Sequence, residues 1–352
     1  MTLPKATGLF LGFAVWRYLS CFIRDKSQFN LALIIFALIG LGFTVVAALS
    51  VNWVDKVPII ADALHLLPNQ VITLPESHAL GTHANELAGT LLIFMFLPLS
   101  FLIALWRNSR FRRLTWAVAL FALLLTFLLV LTQSRSGWIG AIAGFMTLFA
   151  VWSLALPVGK KRLYLRLILV GSVLVVLVGL LLIGPERLRQ LTEDPAQQTL
   201  IGSLGTVSFR FEVWRWAVMA VGDFPFTGTG LGTFRRVIMR LYPARITPGV
   251  DIAHAHNIFL QVALDVGLPG LIVYMALLFM AAAITWQIVR RDSVKLPVTA
   301  VPTTIALFSG IVALHVYGLS DAIALGAKPG LLFWFALGLL TAVNQLRLAL
   351  YD

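Results

Sequence analysis

The stretch from Ala253 to Ile272, AHAHNIFLQVALDVGLPGLI, sets two histidines and an asparagine directly before an apolar run broken by Gly267, Pro269 and Gly270. Asn257 suits the N-cap of a helix over 258–266, Gly267 a left-handed end to that helix, and Pro269 the start of a spanning one. His256 then stands at a helix N-terminus, where the positive end of the dipole disfavours imidazolium and leaves a neutral ring able to accept a proton. Metal binding is the competing use of His254 and His256, because alternate residues of an extended segment point to one side. No carboxylate or thiol stands at ligand spacing beside them, so no metal is expected. Spacing does not decide which of the two rings acts. His65 and His315 lack such neighbours and read as structural.

Three other polar clusters interrupt the apolar sequence. In GTHANELAG, residues 81–89, Thr82 or Asn85 suits the cap of the helix that Leu87 begins, which leaves His83 and Glu86 without a local task. In TQSRSGW, residues 132–138, Arg135 occupies a tight turn between two apolar runs, where a charge costs a few kcal/mol unless it pairs or reaches water. The third is SFRFEVWRWA, residues 208–217, an interfacial helix with aromatic anchors. The glycine-rich DFPFTGTGLGTF, residues 223–234, follows it. Its glycines lack a preceding strand and the phosphate-loop spacing, so a tight turn back to the membrane is the better reading. The whole segment 185–255 carries eight arginines and no lysine. Exclusive arginine favours planar, bidentate recognition of phosphate or carboxylate, so an anionic ligand is expected there. Arg210 and Arg215, five apart, do not share one helical face or one ligand.

The elements that must hold these groups are membrane helices. Of 352 residues, 59% are hydrophobic and 12% charged, with a mean hydropathy of +0.92, outside the range of soluble domains. The sequence predicts an all-α polytopic protein, a single domain over 1–352. Nine spans fall near 7–23, 30–51, 87–106, 114–132, 137–156, 167–184, 269–289, 299–320 and 330–347. Short alternating segments of a β-barrel are not visible. Basic residues gather at 24–26, 107–113, 159–166 and 290–295, which the positive-inside rule makes cytoplasmic. The connections 52–86, 133–136, 185–255 and 321–329 then face the other side, with 185–255 as one large outer loop containing amphipathic helices. This order puts Met1 outside with no removable signal peptide, so further helices upstream are expected, an odd number if the full N-terminus is cytoplasmic. Cys21, the single cysteine, has no disulfide partner in the chain.

The run His256-Asn257, nine residues, then Gly267-Leu268-Pro269-Gly270 resembles the H-[NSQ]-x9-G-x-x-G signature of the O-antigen ligases. It is joined, in that family's order, by THANELAG, TQSRSGW, the S-x-R-x-x-x-W segment leading to FPFTGTGLGTF, and SDAIALGAKPG at 320–330. The resemblance covers almost the whole chain. It implies a GT-C-like glycosyltransferase of the bacterial inner membrane, its site facing the periplasm, in a family with about twelve helices. The donor it implies is an undecaprenyl-diphosphate-linked glycan, and the acceptor a lipid A core sugar. In the related O-antigen and exopolysaccharide polymerases the acceptor is another lipid-linked repeat. No cofactor, metal or nucleotide sugar is implied. Membrane lipids are partners and nucleic acid is not.

By the resemblance Arg135 and Arg210 match the arginines that hold the donor diphosphate, and His256 matches the histidine of transfer. The expected mechanism is inverting: the arginines stabilise the leaving diphosphate in place of a metal, and His256 activates the acceptor hydroxyl. Asn257, His83, Arg215 and Asp321 are expected to help position substrate, and Lys328 to add positive potential. A transporter of an anionic lipid or glycan is the reading from another class. It should carry internal repeats and broken, charged helices near the midplane, whereas the charges here sit in loops.

Overall fold

A computed structural model describes residues 2–52, 82–105, 112–193, 198–199, 202–203, 205–242, 252, 254–292, 296–323, 326–327 and 329–351. The protein is an all-α polytopic membrane protein, as its composition requires. Its helices are α1 (Thr2–Phe22), α2 (Lys26–Ser50), α3 (Ala84–Phe94), α4 (Phe96–Leu105), α5 (Arg112–Leu131) and α6 (Arg135–Ala155). They continue as α7 (Lys160–Glu193), α8 (Gly205–Asp223), α9 (Phe234–Leu241), α10 (Ile258–Gln287), α11 (Ala300–Tyr317) and α12 (Gly330–Leu348). Among the described residues seven helices are long and apolar enough to cross a membrane: Lys26–Ser50, Ala84–Leu105, Arg112–Leu131, Arg135–Ala155, Ile258–Arg290, Ala300–Tyr317 and Gly330–Leu348. The other two expected spans, 7–23 and 167–184, lie on α1 and α7.

Local chemistry accounts for the helix starts. Asp25 accepts from the backbone N–H of Gln28 at 2.9 Å while the Gln28 side chain accepts from that of Arg24 at 2.7 Å, a reciprocal box at the head of α2. Between α5 and α6 the chain turns in three residues. Gln133 takes φ +50°, and Ser134 caps α6 by accepting from Gly137 at 3.2 Å, which makes Arg135 the first residue of a helix. At the third start Asn257 accepts from both Phe259 and Leu260, at 3.0 and 3.1 Å, and so satisfies two of the four orphan donors of α10. The cap expected at 82 or 85 differs. α3 begins at Ala84, and Asn85 lies inside its first turn with its side chain engaged elsewhere.

Gly267 has φ +74° and ψ 177°, so α10 is two helices meeting at a kink rather than one rod. The break leaves the Leu264 carbonyl without its helical donor, and the Thr229 backbone N–H takes that place at 2.7 Å. Pro225 accepts from Leu268, and Asp265 accepts from the backbone N–H of Gly232 at 2.9 Å. The glycines of 228–232 thus serve a turn seated on the kink, as the absence of a phosphate-loop spacing suggested. A side chain on Gly228 would collide with the Leu264 carbonyl at 2.5 Å.

Packing is centred on α11, which lies against α3, α4, α6 and α12 and is buried along nearly its whole length. Small residues permit the approach, with Gly310 against the Ile93 backbone and Gly140 against the Ala313 carbonyl. Polar groups inside the bundle are paired: Ser100 donates to the Pro302 carbonyl at 2.7 Å and accepts from the Trp152 indole at 2.9 Å. A second, smaller core joins α8, α9 and the start of α10 through Val213, Trp216, Ala220, Phe234, Ile238 and Leu264. Ile252 and Ala255, on either side of His254, belong to it, at the end of the bundle where α1, α3, α6, α10 and α12 begin and α5 and α11 finish.

Candidate functional site

At that end a cleft of about 310 Å³ lies among Lys5, Asn85, Glu86, His254, His256 and Asp321, with Tyr317 in its wall. Asp321 follows α11 and is 4% exposed, a depth at which a carboxylate is costly unless it is surrounded by donors. Donors come from four separate parts of the chain. Asn85 donates to Asp321 Oδ2 at 3.0 Å, the Arg210 guanidinium stands 4.0 Å from the same oxygen, and the Ala322 backbone N–H donates to Oδ1 at 2.9 Å. His256 Nδ1 is 3.5 Å and His254 Nε2 3.9 Å from Oδ1. Burial alone would raise the Asp321 pKa. The contact from His256 and the positive potential of the two rings outweigh it and hold the carboxyl at about 2, so the group is ionised at working pH.

The two rings divide their roles by hydrogen bonding. His256 sits at φ +47°, a strained position for a histidine, and its backbone N–H donates to His254 Nδ1 at 3.2 Å. That contact uses the one acceptor a neutral imidazole has and places the proton of His254 on Nε2, facing Asp321. Burial, followed by the neighbouring His256, lowers the His254 pKa to about 4, so this ring is neutral and has no lone pair left for a substrate. His256 presents Nδ1 to Asp321 and lines the cleft. The ring centroids are 4.3 Å apart, and the Trp214 indole fixes the segment by donating to the His256 carbonyl at 3.3 Å.

Arg135 and Arg210 come from different helices and lie close enough that the charge of one acts on the other. Ser136, next to Arg135, accepts from the hydroxyl of Ser320, the neighbour of Asp321, at 2.9 Å, which ties the head of α6 to the same corner. Like charges favour an anion beside them, and the Asp321 carboxylate already stands 4.0 Å from Arg210.

Other expected residues fall differently. Arg215 points outward from α8 and does not line the cleft, as its five-residue offset from Arg210 on a 3.6-residue helix dictates. Asn257 caps α10 and donates to the Leu319 carbonyl at 3.0 Å, which makes it a brace joining α10 to the Asp321 segment. The backbone of His83 pairs with Asn52, while its side chain, like Lys328 and His65, is outside the described residues. His315 is buried against the Tyr274 hydroxyl at 2.6 Å and the Ile311 carbonyl at 2.7 Å, a structural histidine.

Asn85, explained by capping alone in the sequence, and Lys5, just before the first apolar run, join the site unannounced. Their signal in the sequence is only a polar residue at the outer end of a span. The absence of a carboxylate near His254 and His256 also needs correction. Asp321 arrives through the fold, and one ligand atom from each of the three lies within 4.8 Å of the others, a spacing that can hold a cation. Arg210 contacts the same carboxylate, and its charge opposes a divalent ion there.

Residues 120–275 match the family model described as O-antigen ligase. The matched segment contains Arg135, Arg210, His254 and His256, whereas Lys5, Asn85 and Asp321 lie outside it. No curated protein matches the chain.

Proposed function

We infer, from a segment similar to the O-antigen ligases that carries Arg135, Arg210 and His256, that the chain transfers a glycan from undecaprenyl diphosphate to a sugar of the lipid A core at the periplasmic face of the bacterial inner membrane. The family supports an enzyme of ligase or polymerase type; the ligase, its donor and its acceptor are our reading. One observation carries it: cations, two histidines and an ionised carboxylate converge from distant segments on one cleft at one end of the helix bundle.

In this mechanism the donor diphosphate lies against Arg135 and Arg210. His256 Nε2 takes the proton of the acceptor hydroxyl while that oxygen bonds the anomeric carbon, and the bond from that carbon to the diphosphate oxygen breaks. The departing pair stays on the lipid diphosphate, whose charge the two arginines stabilise. A single displacement inverts the anomeric centre. Asp321 orients His256 through Nδ1 and stabilises the imidazolium as it forms, and His254 keeps Asp321 supplied with a donor. No step calls on a metal, since Arg135 and Arg210 supply the positive charge.

The test is transfer in detergent from a lipid-linked glycan to purified lipid A core, with glycan length followed on the same gel and chelator in parallel. Capped core formed with or without chelator is the expected result. Longer lipid-linked glycan without capped core would make the chain a polymerase, and no product of either kind would remove the enzyme reading.

A further inference from the structure

Two apolar cavities open along one side of α1, and neither takes part in the chemistry above. The first, about 510 Å³, lies between Leu11 of α1, Ile39 and Phe43 of α2 and Leu331 of α12. The second, about 700 Å³, continues down the same two helices between Tyr18 and Phe22 of α1 and Leu31 and Ile35 of α2, with Phe335 of α12 as floor. The seam has a cause in the packing. α1 and α2 each lie on α12 and hardly on one another. Gly8 and Gly12 bring α1 close to Gly326 and Trp334, which draws it away from α2. From Pro4 to Ile23 the seam follows α1 for about 29 Å at 1.5 Å per residue, roughly the thickness of the hydrocarbon core.

The upper cavity adjoins the polar cleft, since Lys5, Glu86 and Ala327 line both. Lys5 stands where the apolar seam meets the histidines and arginines, its side chain lying against Gly232. A molecule filling both spaces must have a long, flexible hydrocarbon chain joined to an anionic head, which a packed protein helix does not offer.

We propose that the seam between α1 and α2 holds the isoprenoid tail of the lipid-linked substrate, with Lys5 facing its diphosphate where tail and head join. This deepens the transferase reading and rests on it for the identity of the head. The seam is exposed at Leu11, Leu31 and Ile39, the side from which the tail would enter, and its polar end is left for the acceptor.

The test uses the full chain in detergent with a long-chain polyprenyl diphosphate carrying a diazirine at its far end and no glycan. Crosslinks are expected in the peptides of α1 and α2 around 14–35. Leu11→Trp with Ile39→Trp should cut them at least fivefold, whereas Ile272→Trp, on the outward face of α10, leaves them within twofold. Crosslinks on helices other than α1, α2 and α12, which floors the seam with Phe335, or crosslinks in α1 and α2 abolished by excess phospholipid, would overturn the proposal. Kinetics give a second arm. The double tryptophan should raise KM for a long-chain glycan donor at least tenfold more than KM for a short-chain one, and Lys5→Gln should raise both. Equal effects of the double variant on the two donors would again overturn it. Failure of the function is distinguishable from failure of the seam. Wild type that transfers nothing yet crosslinks in α1 and α2 supports the seam and overturns the transferase, and active wild type that crosslinks elsewhere does the reverse.

Discussion

Arg210 and His256 matter because of what surrounds a single carboxylate. With Asp321 ionised and His254 neutral, the two histidines should respond very differently to substitution. His254→Gln keeps a donor toward Asp321 and should lose less than tenfold in kcat, whereas His256→Gln should lose about 10²–10⁴-fold, the usual worth of a positioned base. Steady-state transfer measured on both variants checks this. The lowered pKa of His254 also has a sign. Between about 4 and the ordinary value near 6.5 the unfolded ring holds a proton that the folded one refuses, so stability is lost as pH falls through that window. For Asp321 the corresponding loss lies lower, between 3.8 and about 2. Thermal unfolding of the wild type in detergent should therefore weaken from pH 7 to pH 5, by up to about 1.4 kcal/mol per pH unit, and His254→Gln should flatten that slope. Arg210 and His256 were legible because residue type and motif spacing are local. Asn85 and Lys5 were not, because what gives them meaning is a partner more than 200 positions away in the case of Asn85, and a cleft assembled from several helices in the case of Lys5.

At the scale of the element, the kink in α10 carries the site. Gly267 ends one helix so that Leu264 can accept from the loop at Thr229, and that loop brings α8, with Arg210, over the cleft. A methyl group at Gly267 would meet the Phe226 carbonyl in a conformation that other residues adopt at a cost of about 1–3 kcal/mol. Gly267→Ala should accordingly lower stability by at least that amount, read from thermal unfolding, and lower transfer with it. Asn257→Ala removes one cap and one brace. Its expected cost is about 1 kcal/mol of stability, together with a fall in kcat that a cap alone would not cause, because His256 is the preceding residue. The positive φ of Gly267 and the cap of Asn257 follow from residue types at helix ends, which is why the sequence showed them. The seat of the glycine-rich turn did not follow, since a run of glycines specifies flexibility but not the surface it meets.

Over the whole molecule, apolar runs of membrane length announced an all-α polytopic fold, while the order in which α3, α4, α6 and α12 surround α11 was hidden. Lipid-facing and bundle-facing runs read alike when both are apolar, and only the small-residue contacts, such as Gly310 against Ile93, separate them. In the proposed mechanism protein side chains supply the positive charge at the diphosphate, so transfer should stay within twofold when all divalent metal is chelated; a loss restored by one metal ion would instead give His254, His256 and Asp321 the work of ligands. The most direct test of the central claim joins binding and chemistry on one preparation: the Kd of the lipid-linked donor and the single-turnover rate of transfer, for wild type, His256→Gln and Arg210→Ala. His256→Gln should bind donor within threefold of wild type while its rate falls at least a hundredfold, and Arg210→Ala should lose both affinity and rate. A His256→Gln enzyme that turns over at the wild-type rate, or an Arg210→Ala enzyme that binds and transfers normally, would contradict it.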